Sequence, residues 1–183
     1  MSLRLQAIQP SDPSYRIISL TKGQFTAVDA DIYEELNQHK WCACWMPSSQ
    51  SFYVARASPR DPITRKQTLI TMSRVIMNAP KGMLVDHWDH ATLNNRRYNL
   101  RLVTYSQNGM NRRILKGNSS GFKGVTWHQG EKKYRVQIKV EGKAIALGNF
   151  RADQLFDATE AYRLASIKYH GEFGFVQPES VTR

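Results

Sequence analysis

Two short runs rich in apolar and β-branched residues, RIISL and FTAVD, lie on either side of Lys22-Gly23. Such runs around a turn predict two short strands over residues 15–29. In the IYEELNQHK run that follows, the pattern changes to that of a short amphipathic helix, with Asp31 placed to cap its first turn. WCACW and FYVARA predict a second hairpin, closed by the polar turn 47–51. Residues 59–66 read as loop, 67–72 as a strand, and 73–79 as a short helix ended by Pro80-Lys81-Gly82. A strand at 84–87, a return strand at 100–104 and a helix from about Ser106 come next. Beyond the polar segment 116–121 the pattern becomes three strands (122–127, 133–140 and 143–150) and one long helix, 153–170. That helix carries an apolar stripe of Leu155, Phe156, Ala158, Ala161, Tyr162, Ala165 and Tyr169. Along 133–140, Tyr134, Val136, Ile138 and Val140 face the helix, and Lys133, Arg135, Gln137 and Lys139 face away. The fold class is α+β: a small N-terminal α+β region, a ββα unit, then a three-stranded antiparallel sheet packed on one helix.

Composition adds charge to this picture. The 183-residue chain has a net charge of +11, with 41% apolar and 22% charged residues. The apolar content suits a folded soluble protein, and the positive excess points to a polyanionic partner. No apolar run is long enough for a membrane span or a signal peptide. We therefore expect a soluble cytoplasmic protein of a bacterial or phage-infected cell, not secreted and without a membrane partner. Cys42 and Cys44 are too few for a disulfide framework or a four-cysteine zinc site, and read as small semi-buried thiols. The charge is concentrated: residues 71–120 hold eight Lys and Arg against only Asp86 and Asp89. A lone acidic pair in so basic a segment favours phosphate contact over a merely solvated surface.

That segment, VDHWDHATLNNRRYNLRLVTYSQN, also holds the densest candidate chemistry. The hairpin and the start of its helix are expected to bring Asp86 and His87 near Asn108. A carboxylate and an amide oxygen are hard ligands suited to Mg²⁺ or Mn²⁺, and an imidazole beside them can take a proton from an attacking water. Asn99 is placed to hold the other imidazole nitrogen or the loop backbone. His90, three residues on, reads as loop-bracing.

V-D-H, then N-N-R-x-x-N-L-R-x-V-T, then S-Q-N resembles the asparagine-rich HNH nucleases of phages and homing elements. The resemblance implies a ββα-metal (His-Me finger) unit with one divalent ion per active site. His87 would be general base, Asp86 and Asn108 metal ligands, and Asn99 the central asparagine of the motif. Arg96, Arg97 and Arg101 would contact phosphate. LTKGQFTAVDADIYEELNQHKW and M-x-A-P-K-G extend the likeness upstream. Relatives commonly carry histidine where this chain has Ser73.

G-V-x-W, Y-R-V-Q-I, L-G-x-F and A-x-x-A-Y-R-x-A-S-I-K-Y-x-G resemble the APETALA-two / ethylene-response-factor DNA-binding domain, in which the sheet enters the major groove. Lys123, Thr126 and His128 match first-strand positions that are often basic there. Lys133, Arg135, Gln137 and Lys139 form the outward row. Ala144 and Ala146 stand where relatives carry larger readers. Trp127 is expected to pack at the sheet edge.

The resulting division is a strand-rich region over 1–72, a nuclease unit over 73–115, a linker over 116–121, a DNA-binding domain over 122–175 and a tail over 176–183. Arg112, Arg113 and Lys116 are expected to track the DNA backbone between the two functional parts. The whole reads as a site-specific, homing-type endonuclease that nicks double-stranded DNA and needs no small-molecule cofactor. A monomer is expected, with dimerisation on DNA open. The rival is a DNA-binding regulator with a degenerate nuclease unit, favoured by Ser73. RNA as substrate is a third reading.

Overall fold

The structure is a computed structural model that describes residues 5–114 and 117–175. The chain divides into two compact units, Met1–Val103 and Thr104–Arg183. Among the described residues no helix is long and apolar enough to cross a membrane.

The first unit opens with the antiparallel hairpin of β1 (Tyr15–Ser19) and β2 (Phe25–Asp29), in which Tyr15 pairs with Asp29 and Ser19 with Phe25. Lys22 and Gly23 both take left-handed backbone angles, φ 59° and 65°, as the tight reversal requires. A 3₁₀ turn, Ala30–Ile32, leads into α1 (Tyr33–Asn37). Asp31 lies inside that turn and makes no cap; its carboxylate is bound by Arg97 instead. A three-stranded sheet follows: β3 (Cys42–Met46), β4 (Ser51–Ala57) and β5 (Leu69–Thr71), with β4 in the middle. Then come α2 (Met72–Ile76) and the hairpin of β6 (Leu84–His87) and β7 (Leu100–Val103).

The core of this unit is Ile18, Leu20, Val28, Leu36, Trp41, Ala43, Val54 and Met72. Ile18 of β1 and Thr26 and Val28 of β2 share the buried face of the hairpin. Trp41 is fully buried and satisfies its indole N–H by donating to the Leu36 carbonyl at 2.8 Å, which also ties down the end of α1. Trp45 and Trp88 are exposed rather than in the core. Ser73 is buried in α2, where its carbonyl accepts from the Met77 amide.

The second unit begins with α3 (Tyr105–Asn111), which is followed by an antiparallel sheet and α4 (Leu155–His170). The sheet has β9 (Lys133–Val140) between β8 (Val125–His128) and β10 (Lys143–Arg151). A capping box starts α3: the Gln107 amide donates to Thr104 Oγ1 at 3.2 Å, and the Thr104 amide to Gln107 Oε1 at 2.8 Å. Val125, Val136, Ile138, Ala158, Tyr162 and Ala165 form the core between sheet and α4, with Tyr134 and Val140 packed against it. Gly124 holds a left-handed φ of 72°, and a Cβ there would meet the Tyr162 ring at 2.0 Å, so only glycine lets α4 approach the sheet this closely.

The apolar stripe of α4 differs from the expected one. Ala158, Tyr162, Ala165, Ser166 and His170 are buried, whereas Phe156 is 78% exposed. Phe156 lies two residues before Ala158, on the opposite side of a helix of 3.6 residues per turn. His170 owes its burial to a partner: its Nε2 lies 2.9 Å from the Lys139 carbonyl.

Candidate active site

The β6–β7 register sets the geometry. Asp86 pairs with Arg101 and His87 with Leu100. Residues directly opposite each other in an antiparallel pair put their side chains on the same face. The Arg101 guanidinium therefore reaches the Asp86 carboxylate, with Nε at 3.0 Å and Nη2 at 2.8 Å from Oδ2. His87, the next residue along, turns to the other face and is buried. The edge of the Tyr53 ring meets it there, 6.0 Å between ring centres.

The imidazole is oriented by a chain of hydrogen bonds from β2. The Thr26 hydroxyl donates to the Leu93 carbonyl at 2.7 Å. Its oxygen accepts from Asn95 Nδ2 at 2.9 Å, which fixes how the Asn95 amide is turned. Asn95 Oδ1 is thereby presented to His87 Nε2 at 3.3 Å. An amide oxygen can only accept, so Nε2 carries the proton, and Nδ1 is the basic nitrogen of the neutral ring. Burial pushes the imidazole pKa below its usual value near 6.5; the Asn95 bond, Asp86 and Asp89 pull the other way but do not prevail.

Asn95, buried like Thr26, is the second asparagine of the N-N-R motif, where the sequence gives it no role of its own. The expected choice, Asn99, makes the other of the two contacts foreseen for it. Its Oδ1 accepts from the Asp89 amide at 3.2 Å and its Nδ2 donates to the Asn94 carbonyl at 2.9 Å. The Trp88 amide also donates to the Asn99 carbonyl, at 2.9 Å. Asn99 thus fastens the loop after His87 from inside. His90, at a left-handed φ of 63°, donates its amide to the His87 carbonyl and closes the turn.

The N-terminal hairpin holds this loop from outside. The Ala27 amide donates to Leu93 O at 3.1 Å and the Asn95 amide to Ala27 O at 2.8 Å, so the loop runs beside β2 as a short parallel bridge. Asp29 accepts from the Arg97 amide at 2.8 Å and from Arg96 Nε at 3.4 Å. Arg96 also lies over the Tyr15 and Tyr98 rings and donates to Ser14 Oγ, while Arg97 binds both oxygens of Asp31. Arg96, Arg97 and Arg101 are therefore each engaged by a carboxylate of this unit.

In the second unit, Asn108 is exposed on α3. Arg112 and Arg113 are exposed just beyond it; Lys116 lies outside the described residues. Lys123 turns inward: its ammonium donates to the Met110 and Arg112 carbonyls at 2.6 and 2.7 Å, satisfying the end of α3. Burial, helped by the Arg112 charge, brings that ammonium down to about 8. Lys133, Arg135, Gln137 and Lys139 form an exposed row on β9, and Thr126 is exposed beside Arg135 on β8. Arg135 pairs with Glu131, and His128 Nδ1 accepts from the Glu131 amide at 3.3 Å. Ala144 and Ala146 of β10 lie opposite Lys139 and Gln137, leaving that side of the row low. Trp127 stacks at a tilt on Tyr134, with ring centres 4.8 Å apart.

A buried imidazole of fixed tautomer and a buried carboxylate, on adjacent residues of one hairpin, agree with what sequence comparison finds. The profile of the HNH endonuclease family matches residues 78–110, from just after α2 through β6 and β7 into α3. The chain carries an HNH endonuclease domain. Protein 3.8 of Escherichia phage T7 is 34% identical over 94 residues, covering 51% of this chain and 75% of that protein. An uncharacterized HNH endonuclease of Acanthamoeba polyphaga mimivirus is 28% identical over 159 residues, covering 87% of this chain and 78% of the relative. The chain belongs to one family with the phage protein. No solved structure matches it.

Proposed function

We propose that this protein is a metal-dependent endonuclease that nicks duplex DNA, with His87 as the general base. The observation that carries the reading is the relay from Leu93 through Thr26 and Asn95, which leaves Nδ1 of His87 as its basic nitrogen. Because burial lowers its pKa, His87 is neutral at neutral pH and ready to accept a proton. It would take that proton from a water attacking the phosphorus, while Asn99 keeps the loop that carries the base in place.

The donor set suits a hard dication. Asp86 offers a buried carboxylate, a hard oxygen donor. Asp86 and Asn108 are assigned as ligands for one Mg²⁺ or Mn²⁺, Asn108 from its position in the motif. Bound there, the ion supplies charge stabilisation at the leaving 3′ oxygen.

The second unit is the DNA-anchoring module in this reading, an APETALA-two-like sheet that uses Lys133, Arg135, Gln137 and Lys139, flanked by Thr126 and His128. Arg112, Arg113 and Lys116 track the phosphate backbone. Splitting recognition from chemistry gives a homing-type, site-specific enzyme acting as a monomer, one strand per encounter. A supercoiled-plasmid assay tests it: Mg²⁺ should convert the plasmid to open circle, and chelator or Asp86→Ala should stop the conversion. No conversion in either Mg²⁺ or Mn²⁺, with duplex binding intact, overturns the reading in favour of a DNA-binding protein.

A further inference from the structure

Three arginines of the segment after β6 are held by acids of the first unit, but one of the acids differs from the others. Asp29 and Asp31 lie on the scaffold and have no assigned chemistry, whereas Asp86 is the proposed metal ligand. We propose that Arg101 is a built-in occupant of the metal position, a counter-cation that must leave Asp86 for the metal to bind and is then released to the incoming phosphate. This rests on the reading of Asp86 as a ligand.

Both partners are largely buried, with 16% of the Arg101 and 10% of the Asp86 side chain exposed. A carboxylate so placed is costly to leave uncompensated, so the chain supplies a positive charge from the facing strand position. Nε and Nη2 both point at Oδ2, so the guanidinium charge lies against the carboxylate that would hold the dication. Two cations on one buried carboxylate repel each other strongly. Metal entry is therefore an exchange of one cation for another. Phosphate favours the exchange because its oxygens accept the same planar fork of donors. The consequence is ordered assembly: the metal-free protein holds Asp86 neutralised, and DNA and metal each make room for the other. By linkage, DNA should strengthen metal binding and metal should strengthen DNA binding.

The test measures metal binding rather than cleavage. Mn²⁺ binding to the full-length, DNA-free protein is titrated by electron paramagnetic resonance for wild type, Arg101→Met and Asp86→Asn. If the carboxylate is released in about one molecule in ten, Arg101→Met should bind Mn²⁺ about tenfold more tightly than wild type. Asp86→Asn should lose the site. Equal affinity for wild type and Arg101→Met, with the site lost in Asp86→Asn, overturns the exchange and leaves the metal reading standing. Binding that survives Asp86→Asn unchanged overturns both. Should Arg101→Met fail to fold, the wild-type protein decides the matter. The Arg101 Nε–H resonance should lose its protection and shift as Mg²⁺ is added, and a resonance unmoved at saturating Mg²⁺ overturns the exchange.

Discussion

Thr26 has one hydroxyl proton, and it goes to the Leu93 carbonyl. From that single commitment the Asn95 amide is turned, Nε2 of His87 is made the donor, and Nδ1 is left as the basic nitrogen of the ring. Replacing Asn95 with Ala removes the orienting partner. We expect the nicking rate to fall roughly 10- to 100-fold, as is usual when a group that orients a catalytic side chain is lost. The bond from Asn95 raises the His87 pKa against the desolvation that lowers it. Its loss should therefore also move the acid limb of the pH–rate profile to lower pH. A profile of unchanged midpoint and rate for Asn95→Ala would remove Asn95 from the site. In wild type that limb should lie below about pH 6.5, the ordinary histidine value. The same group contributes to stability with a definite sign. Its folded-state pKa is depressed, so the unfolded chain binds the proton more readily, and stability is lost as pH falls from about 6.5 through the folded value. His87, Asp86 and the bracing asparagine were legible as residue types at a spacing. Asn95 stands in the same motif, but its role was not legible, because its partner Thr26 lies in another hairpin and only the folded loop brings the two together.

At the scale of elements, the first hairpin serves as a mould for the loop after His87. Asp29 accepts from the Arg97 amide and from Arg96 Nε at once. Asp29→Ala should leave both donors poorly satisfied and cost about 2 kcal/mol in a urea unfolding titration. Asp29→Asn should cost less, because an amide oxygen still accepts from Arg97. Equal stability for Asp29→Ala and wild type would mean that the loop is held elsewhere. β9 was readable because alternation with a period of two records which face is buried, and β6 and β7 form at the strand positions expected for them. The stripe of α4 was less readable. Phe156 is apolar, but it lies across the helix from Ala158 and Tyr162, and hydrophobicity alone does not tell a core position from an exposed one. The capping role of Asp31 failed for a related reason: a carboxylate suited to a helix start was bound by Arg97.

For the whole molecule, the division falls between β7 and α3. Lys123 binds the last carbonyls of α3, and the Phe175 amide donates to Met110 O, so the helix is built into the second unit. That attachment could not be read from spacing, which joins α3 to the β6–β7 hairpin as a single motif. The proposed division of labour predicts that Arg135→Ala weakens binding to the DNA target far more than it slows cutting at saturating DNA. The checks are a gel-shift titration at fixed ionic strength and a single-turnover rate on the same duplex. Ionic strength must be held constant because affinity built on phosphate contacts falls steeply with salt. Equal affinities for Arg135→Ala and wild type would detach the β9 row from DNA. The central claim, that His87 is the base of a nuclease, is tested most directly by the single-turnover nicking rate of His87→Ala beside wild type in Mg²⁺, with and without added imidazole. A base at His87 predicts a loss of about 10²- to 10⁴-fold, partly restored by imidazole; nicking by His87→Ala at the wild-type rate would contradict it.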